Sequence, residues 1–278
     1  YADGAPAKAR LERAVACLRG LRALGSNRLD ALYVSGALTF EEFLFAACAG
    51  AFVHSFIYKD LDSDADIMKV LERPDLRDAM AKRVFDSNRA EYTRKVVAET
   101  LAARPDLIQR LFRLFDRKFN PRFKTRPAAG ALETEIKAFL AHLEIAFIDD
   151  TTGRDIFAFM ARLIAHTRKT NFYRADKRAF SFRLDQGVLD PLVFPAKVHG
   201  IFFVVGFHAI GTHMRAEPVS RGGLRLIRVT PGNYETELDN MPLLNYALGP
   251  VAQRMKHKDI AESGAKGVIV PHVEYAPD

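Results

Sequence analysis

Ala179-Phe-Ser-Phe-Arg-Leu-Asp185 and Gly200-Ile-Phe-Phe-Val-Val-Gly206 decide what kind of fold this chain adopts. In the first, Phe180, Phe182 and Leu184 alternate with Ser181 and Arg183, the period of a strand with one buried face. The second is apolar throughout Ile201 to Val205, as in a strand covered on both sides. Further strand candidates are His208 to Arg215, Leu224 to Val229 and Gly267 to Val270, with a helical stretch around Glu235 to Lys256 between the last two. Before Asn171 the period is helical. Leu11, Val15 and Leu18, then Phe40, Leu44, Cys48 and Phe52, recur at spacings of three and four. So do Leu107, Leu111 and Leu114, then Ile136, Phe139, Leu143 and Phe147, then Ile156, Phe159, Met160 and Leu163. The expected fold is α+β: an N-terminal helical layer followed by an α/β part with a mixed sheet. Thr125-Arg-Pro-Ala-Ala-Gly130 is a plausible linker, which divides the chain into a helical region, 1–130, and a domain, 131–278.

Composition narrows the function classes. Of the 278 residues 49% are hydrophobic and 27% charged, which excludes a disordered or collagenous chain. Cys17 and Cys48 are the two cysteines, too few for a disulfide framework or a thiolate metal site. The apolar runs Phe43 to Ile57 and Ile201 to Phe207 are too short or interrupted to cross a bilayer. The first residue, Tyr1, implies a processed product or a piece of something longer. The formal charge is +7, and it is concentrated: residues 151–230 hold 13 Lys and Arg against 5 Asp and Glu, a local +8 that leaves −1 elsewhere. Such a segment suits an anionic small substrate, a phosphate backbone or an acidic partner. The interleaved aromatics Phe172, Tyr173, Phe180 and Phe182 read as core before they read as base-stacking platforms, so RNA is a secondary expectation.

Several motifs fail their own chemistry. Asp60-Leu-Asp62-Ser-Asp64-Ala-Asp66 resembles the start of a calcium loop, but Ala65 stands where the turn needs Gly and Leu71 where the bidentate Glu belongs. His208 and His213, five apart on an expected strand, point to opposite faces and share no metal. No nucleophile elbow, phosphate loop or dinucleotide fingerprint occurs, so a nucleotide-binding (Rossmann) domain is not expected in this chain. Two elements remain. Ser220-Arg-Gly-Gly-Leu-Arg225 sets glycines between arginines at the entry to a strand, and Gly264-Ala-Lys-Gly267 sets Lys266 between glycines before Val268-Ile-Val270. Glycine lets a backbone approach a ligand, and the cations recognise carboxylates. A lysine near other cations can serve as an acid/base or electrostatic catalyst.

At these residues the chain resembles the large NAD-dependent glutamate dehydrogenases. The similar segments are Lys169-Thr-Asn-Phe-Tyr173, Ala179 to Asp185, Gly200 to Gly206, His213-Met-Arg215, Arg221-Gly-Gly-Leu-Arg225, Lys256-His-Lys-Asp-Ile260 and Gly264 to Ile269, in the family's order over about 105 residues. The resemblance implies that Lys266 is the catalytic lysine. It also implies that Lys256 or Lys258 holds the substrate α-carboxylate, and that Arg221, Gly222 and Gly223 line the side-chain carboxylate site. NAD is implied for a complete enzyme, with no cofactor held by this chain. The departures are Ala261-Glu-Ser-Gly264 for Pro-Glu-Gly-Gly, Ala216-Glu-Pro218 for Phe-Arg-Asp, which reverses one charge and places proline at a strand position, and Pro242 and Pro250, which interrupt the helix that should deliver Lys256. The family's catalytic Asp and NAD domain fall beyond Asp278. Two readings follow: a non-catalytic structural subunit of a larger mitochondrial assembly, in contact with other subunits or its own copies, or a fragment of an active enzyme that deaminates L-glutamate. The departures favour the first.

Overall fold

The structure, a computed structural model, describes residues 27–57, 91–125, 127–190, 193–252 and 262–275. Helices come first: α1 (Asn27–Val34), α2 (Phe40–Phe56), α3 (Arg94–Ala103), α4 (Pro105–Phe119), α5 (Ala129–Ala146) and α6 (Thr151–His166). Their ends follow from local side chains. Thr39 and Glu42 cap α2 reciprocally: the Thr39 Oγ1 accepts from the Glu42 N–H, and the Glu42 carboxylate accepts from the Thr39 N–H at 2.8 Å. Thr93 and Asp150 cap α3 and α6 through single side-chain acceptors. Pro105 opens α4, where a missing N–H leaves no bond unmade. At the far end of α6, Lys118 donates to the Ile164 and Ala165 carbonyls at 2.6 and 3.0 Å. Burial, aided by Arg168, pushes its ammonium down to about 8.

Strands β1 (Thr167–Thr170), β2 (Ala179–Leu184), β3 (Gly200–Gly206), β4 (Ala209–Arg215), β5 (Ser220–Leu226) and β6 (Ser263–Pro271) form one mixed sheet in the order β1-β2-β3-β4-β6-β5. Every adjacent pair is antiparallel except β5 with β6. Between those two runs α7 (Tyr234–Tyr246), continued by a wide π turn over Ala247–Val251. The fold is therefore α+β. One sheet face lies under the helices: Phe203 meets Phe52 and Phe56 of α2 edge-on at 5.8 and 5.7 Å, and α7 packs on β4 and β6. A single apolar core runs from Leu29 to Val270. The other face carries Arg183 over Phe202, Phe202 against His213, and the exposed Leu224 and Leu226.

Several sequence expectations are corrected. β1 precedes Asn171; its Thr-Arg-Lys-Thr has no apolar alternation to betray it. β3 is not covered on both sides, since Phe202 and Val204 are only partly buried on the outer face. β5 begins at Ser220 and ends at Leu226, so Arg221-Gly-Gly223 lies inside the strand rather than at its entry. Lys266 likewise lies inside β6. Pro218 sits in the β4–β5 connection, not at a strand position, and His208 lies outside β4. Pro242 does not interrupt α7, which continues four residues past it, while Pro250 is taken up by the π turn. There the Ala252 N–H bonds the Ala247 carbonyl five residues back, the wider spacing of a π turn. Leu11, Val15, Leu18, Cys17 and the acidic run Asp60 to Asp66 lie outside the described residues.

Candidate active site

Parallel pairing sets Arg221 beside Gly264, Gly222 beside Ala265, Gly223 beside Lys266 and Leu224 beside Gly267. Residues two apart share a strand face. Arg221, Gly223, Arg225 and Lys266 therefore face one way, and Gly222, Leu224 and Gly267 the other. The lysine's side is the helical one: a Cβ at Gly249, in the π turn, would stand 3.2 Å from Lys266 Cβ and 3.5 Å from the Met214 carbonyl oxygen. The turn thus rests on the lysine stem, and a side chain at Gly249 would press on it closely enough to make the stem give by a few tenths of an ångström.

Across the sheet Lys266 belongs to the row Leu184, Ile201, Met214, Lys266, Gly223. The first three are fully buried, Lys266 is half-buried and Gly223 is exposed. The lysine stands where the core ends, its stem in apolar surroundings and its ammonium at the rim. The two glycines beside it act differently. A Cβ at Gly222 would fall 1.4 Å from the Ala265 carbonyl oxygen, so any side chain there drives β5 off β6. A Cβ at Gly223 would meet only Lys266 Nζ, at 3.9 Å, so this glycine keeps space open in front of the ammonium.

The charges form a shelf. Arg221, 71% exposed, pairs through Nη2 with Glu262 Oε1 at 2.5 Å, and Arg225 stands exposed on the same face. On the opposite face burial, reinforced by Arg215, pushes His213 below the usual histidine range, away from this chemistry. The structure brings together Lys266, Arg221, Gly222 and Gly223; Lys256 and Lys258 lie outside the described residues. Arg225 belongs to the arginine-glycine element that the sequence already offered. Sequence reasoning did not single out Gly249 or Glu262: a Gly-Pro pair marks a break in a helical stretch, but the contacts of Gly249 with Lys266 and of Glu262 with Arg221 follow only from the turn and the register. Among the described residues no group of three His, Cys, Asp or Glu could hold a metal. The parallel unit β5-α7-β6 enters its helix through Arg228-Val-Thr-Pro-Gly-Asn233, with one glycine and a proline that donates no N–H.

Residues 141–276 match the family described as bacterial NAD-glutamate dehydrogenase, catalytic domain. Through this segment the chain belongs to the NAD-specific glutamate dehydrogenases. Glutamate dehydrogenase 2 of Dictyostelium discoideum is 28% identical over 254 residues, 89% of this chain and 24% of that protein. The NAD-specific glutamate dehydrogenase of Neurospora crassa is 26% identical over 261 residues, 90% of this chain and 24% of the relative. That of Saccharomyces cerevisiae is 42% identical over 104 residues, 37% of this chain and 9% of the relative. The chain spans about a quarter of the length of the first two relatives. The glutamate dehydrogenase match takes in α6, the whole sheet and α7, and with them the shelf.

Proposed function

We propose that this chain is the helical and substrate-binding part of an NAD-dependent glutamate dehydrogenase, and that it holds L-glutamate or 2-oxoglutarate against Lys266 at the β5–β6 edge. One observation carries the reading: a lysine stem clamped between Gly249 and the core, with its ammonium facing the space kept by Gly223. Arg221, one pleat repeat away on the same face, takes the side-chain carboxylate. The lysine then lies beside C2, where its ammonium stabilises oxygen charge and exchanges a proton with the carbinolamine or imine. By the resemblance, Lys256 or Lys258 takes the α-carboxylate. By the same resemblance NAD is the hydride acceptor of a complete enzyme.

The departures that favoured a non-catalytic subunit lose weight here. Pro218 is outside the strands, Pro242 leaves α7 intact, and Pro250 belongs to the turn that puts Gly249 on Lys266. A non-catalytic subunit of a mitochondrial assembly, with protein neighbours and phosphate contacts through 151–230, is the second reading. On that reading the Arg221–Glu262 pair neutralises the arginine for structure alone, whereas on the first the arginine stays available to a carboxylate. The deciding measurement is glutamate-dependent NAD reduction by the full-length protein. We expect activity, and Lys266→Ala should lower kcat by roughly 10²- to 10⁴-fold, the range of a positioned acid/base group. A full-length protein inactive on glutamate, found in a stable mitochondrial complex, would establish the second reading instead.

A further inference from the structure

We infer that Glu262 is a positioning residue: it holds the Arg221 guanidinium in the orientation that receives the distal carboxylate of the substrate. The inference rests on the glutamate reading above. Arg221 stands on the edge strand β5 with 71% of its side chain exposed, whereas the Glu262 side chain is only 14% exposed. An arginine with so much freedom loses substantial rotamer entropy on taking a ligand, unless a fixed neighbour has already removed it. Glu262 supplies that neighbour, with Oε1 2.5 Å from Nη2.

Two features make the pairing useful. The carboxylate ion-pairs with the Nη2 corner from one side, which leaves one two-donor fork of the guanidinium, the other Nη2–H together with Nε–H or Nη1–H, for a bidentate acceptor. Glu262 also leads directly into β6, four residues before Lys266, so the guanidinium is referenced to the strand that carries the lysine. Gly222 locks the register, because β5 can approach Ala265 closely only with no side chain between them. Arg221 and Lys266 are thereby offset by two residues along paired strands, about 6.6 Å. That spacing suits two-point recognition of a short dicarboxylate.

The test uses the full-length enzyme with L-glutamate and with norvaline, which has the same carbon chain without the distal carboxylate. In Glu262→Gln the KM for glutamate should rise about tenfold, the scale of a charge-assisted hydrogen bond, with kcat within about twofold of wild type. The preference for glutamate over norvaline should fall by the same factor, and Glu262→Asp should restore part of it. An unchanged KM and preference overturns the inference. So does a lowered KM, which would make Glu262 a competitor of the substrate, or an equal loss on both substrates with a lower Tm, which would make it merely structural. Wild-type protein inactive on glutamate overturns the glutamate reading and this inference with it, whereas active wild type with an indifferent Glu262→Gln overturns this inference alone.

Discussion

Every helix-facing position of β2 and β3 is a fully buried apolar residue: Phe180, Phe182, Leu184, Ile201, Phe203 and Val205. At the other end of the same sheet that face carries Gly264 and Lys266 on β6 and Arg221, Gly223 and Arg225 on β5. The difference is one of purpose within a shared pleat. The first end gains its stability from aromatic burial against α2. The second gives up burial so that backbone can approach backbone and charge can stand at a rim, a sacrifice the first end makes tolerable.

The largest break in that comparison comes from the apolar end. Phe203→Ala removes a ring that touches Phe52, Phe56 and Phe182 and should cost about 3–5 kcal/mol in a urea titration. If the cost falls below about 1 kcal/mol, the helical layer does not depend on this face. The next comparison sets adjacent glycines against each other. Gly222→Ala should destabilise by about 1–3 kcal/mol and abolish activity, since its Cβ collides with the Ala265 carbonyl and nothing flexible can yield. Gly223→Ala should leave stability within about 0.5 kcal/mol and lower activity by placing a methyl group in the space in front of the Lys266 ammonium, where the substrate would lie. Equal effects at the two positions would refute the division of labour.

The smallest effect is a pH dependence at the end of β6 remote from the shelf. The Tyr234 O–H donates to His272 Nδ1 at 2.7 Å, and His272 Nε2–H donates to the Gly206 carbonyl at 3.3 Å, a pattern that suits the neutral ring. Burial pushes His272 below the usual histidine range against the Gly206 carbonyl and Glu274, with Arg94 and His208 adding to the downward shift. The unfolded chain therefore takes up this proton first as pH falls through about 6.5, and stability declines below that point. We expect Tm to drop between pH 7.5 and 5.5, and His272→Gln to flatten the slope; an unaltered slope would assign the dependence to His213, which is also shifted down.

Legibility followed the same divide. Phe180, Phe182 and Leu184 announced β2 because each carries a side chain that must be hidden, and the helix period of α4 and α6 was equally plain. At β5 and the start of β6 the positions that matter are glycines, which leave no hydrophobic pattern, so both strands were expected to begin later than they do. Lys266 and Arg221 were singled out as candidates through their cations and through family resemblance. Glu262 and Gly249 could be assigned only from a register and a turn that local sequence does not specify, because their partners lie 41 and 17 positions away in the chain.

The strand order has one more consequence, for a polypeptide emerging from a ribosome. Of the six strands of this sheet β6 is the last to be synthesised, yet it lies between β4 and β5, which are consecutive in the chain. Until residues 263–271 are free, β4 presents a bare edge and β5 has no neighbour within the sheet. Nascent chains at that stage expose an unpaired, partly apolar ribbon of the kind that invites pairing with other chains. The shelf thus closes last, so messages truncated upstream of Ser263 should yield products that depend on chaperones for solubility.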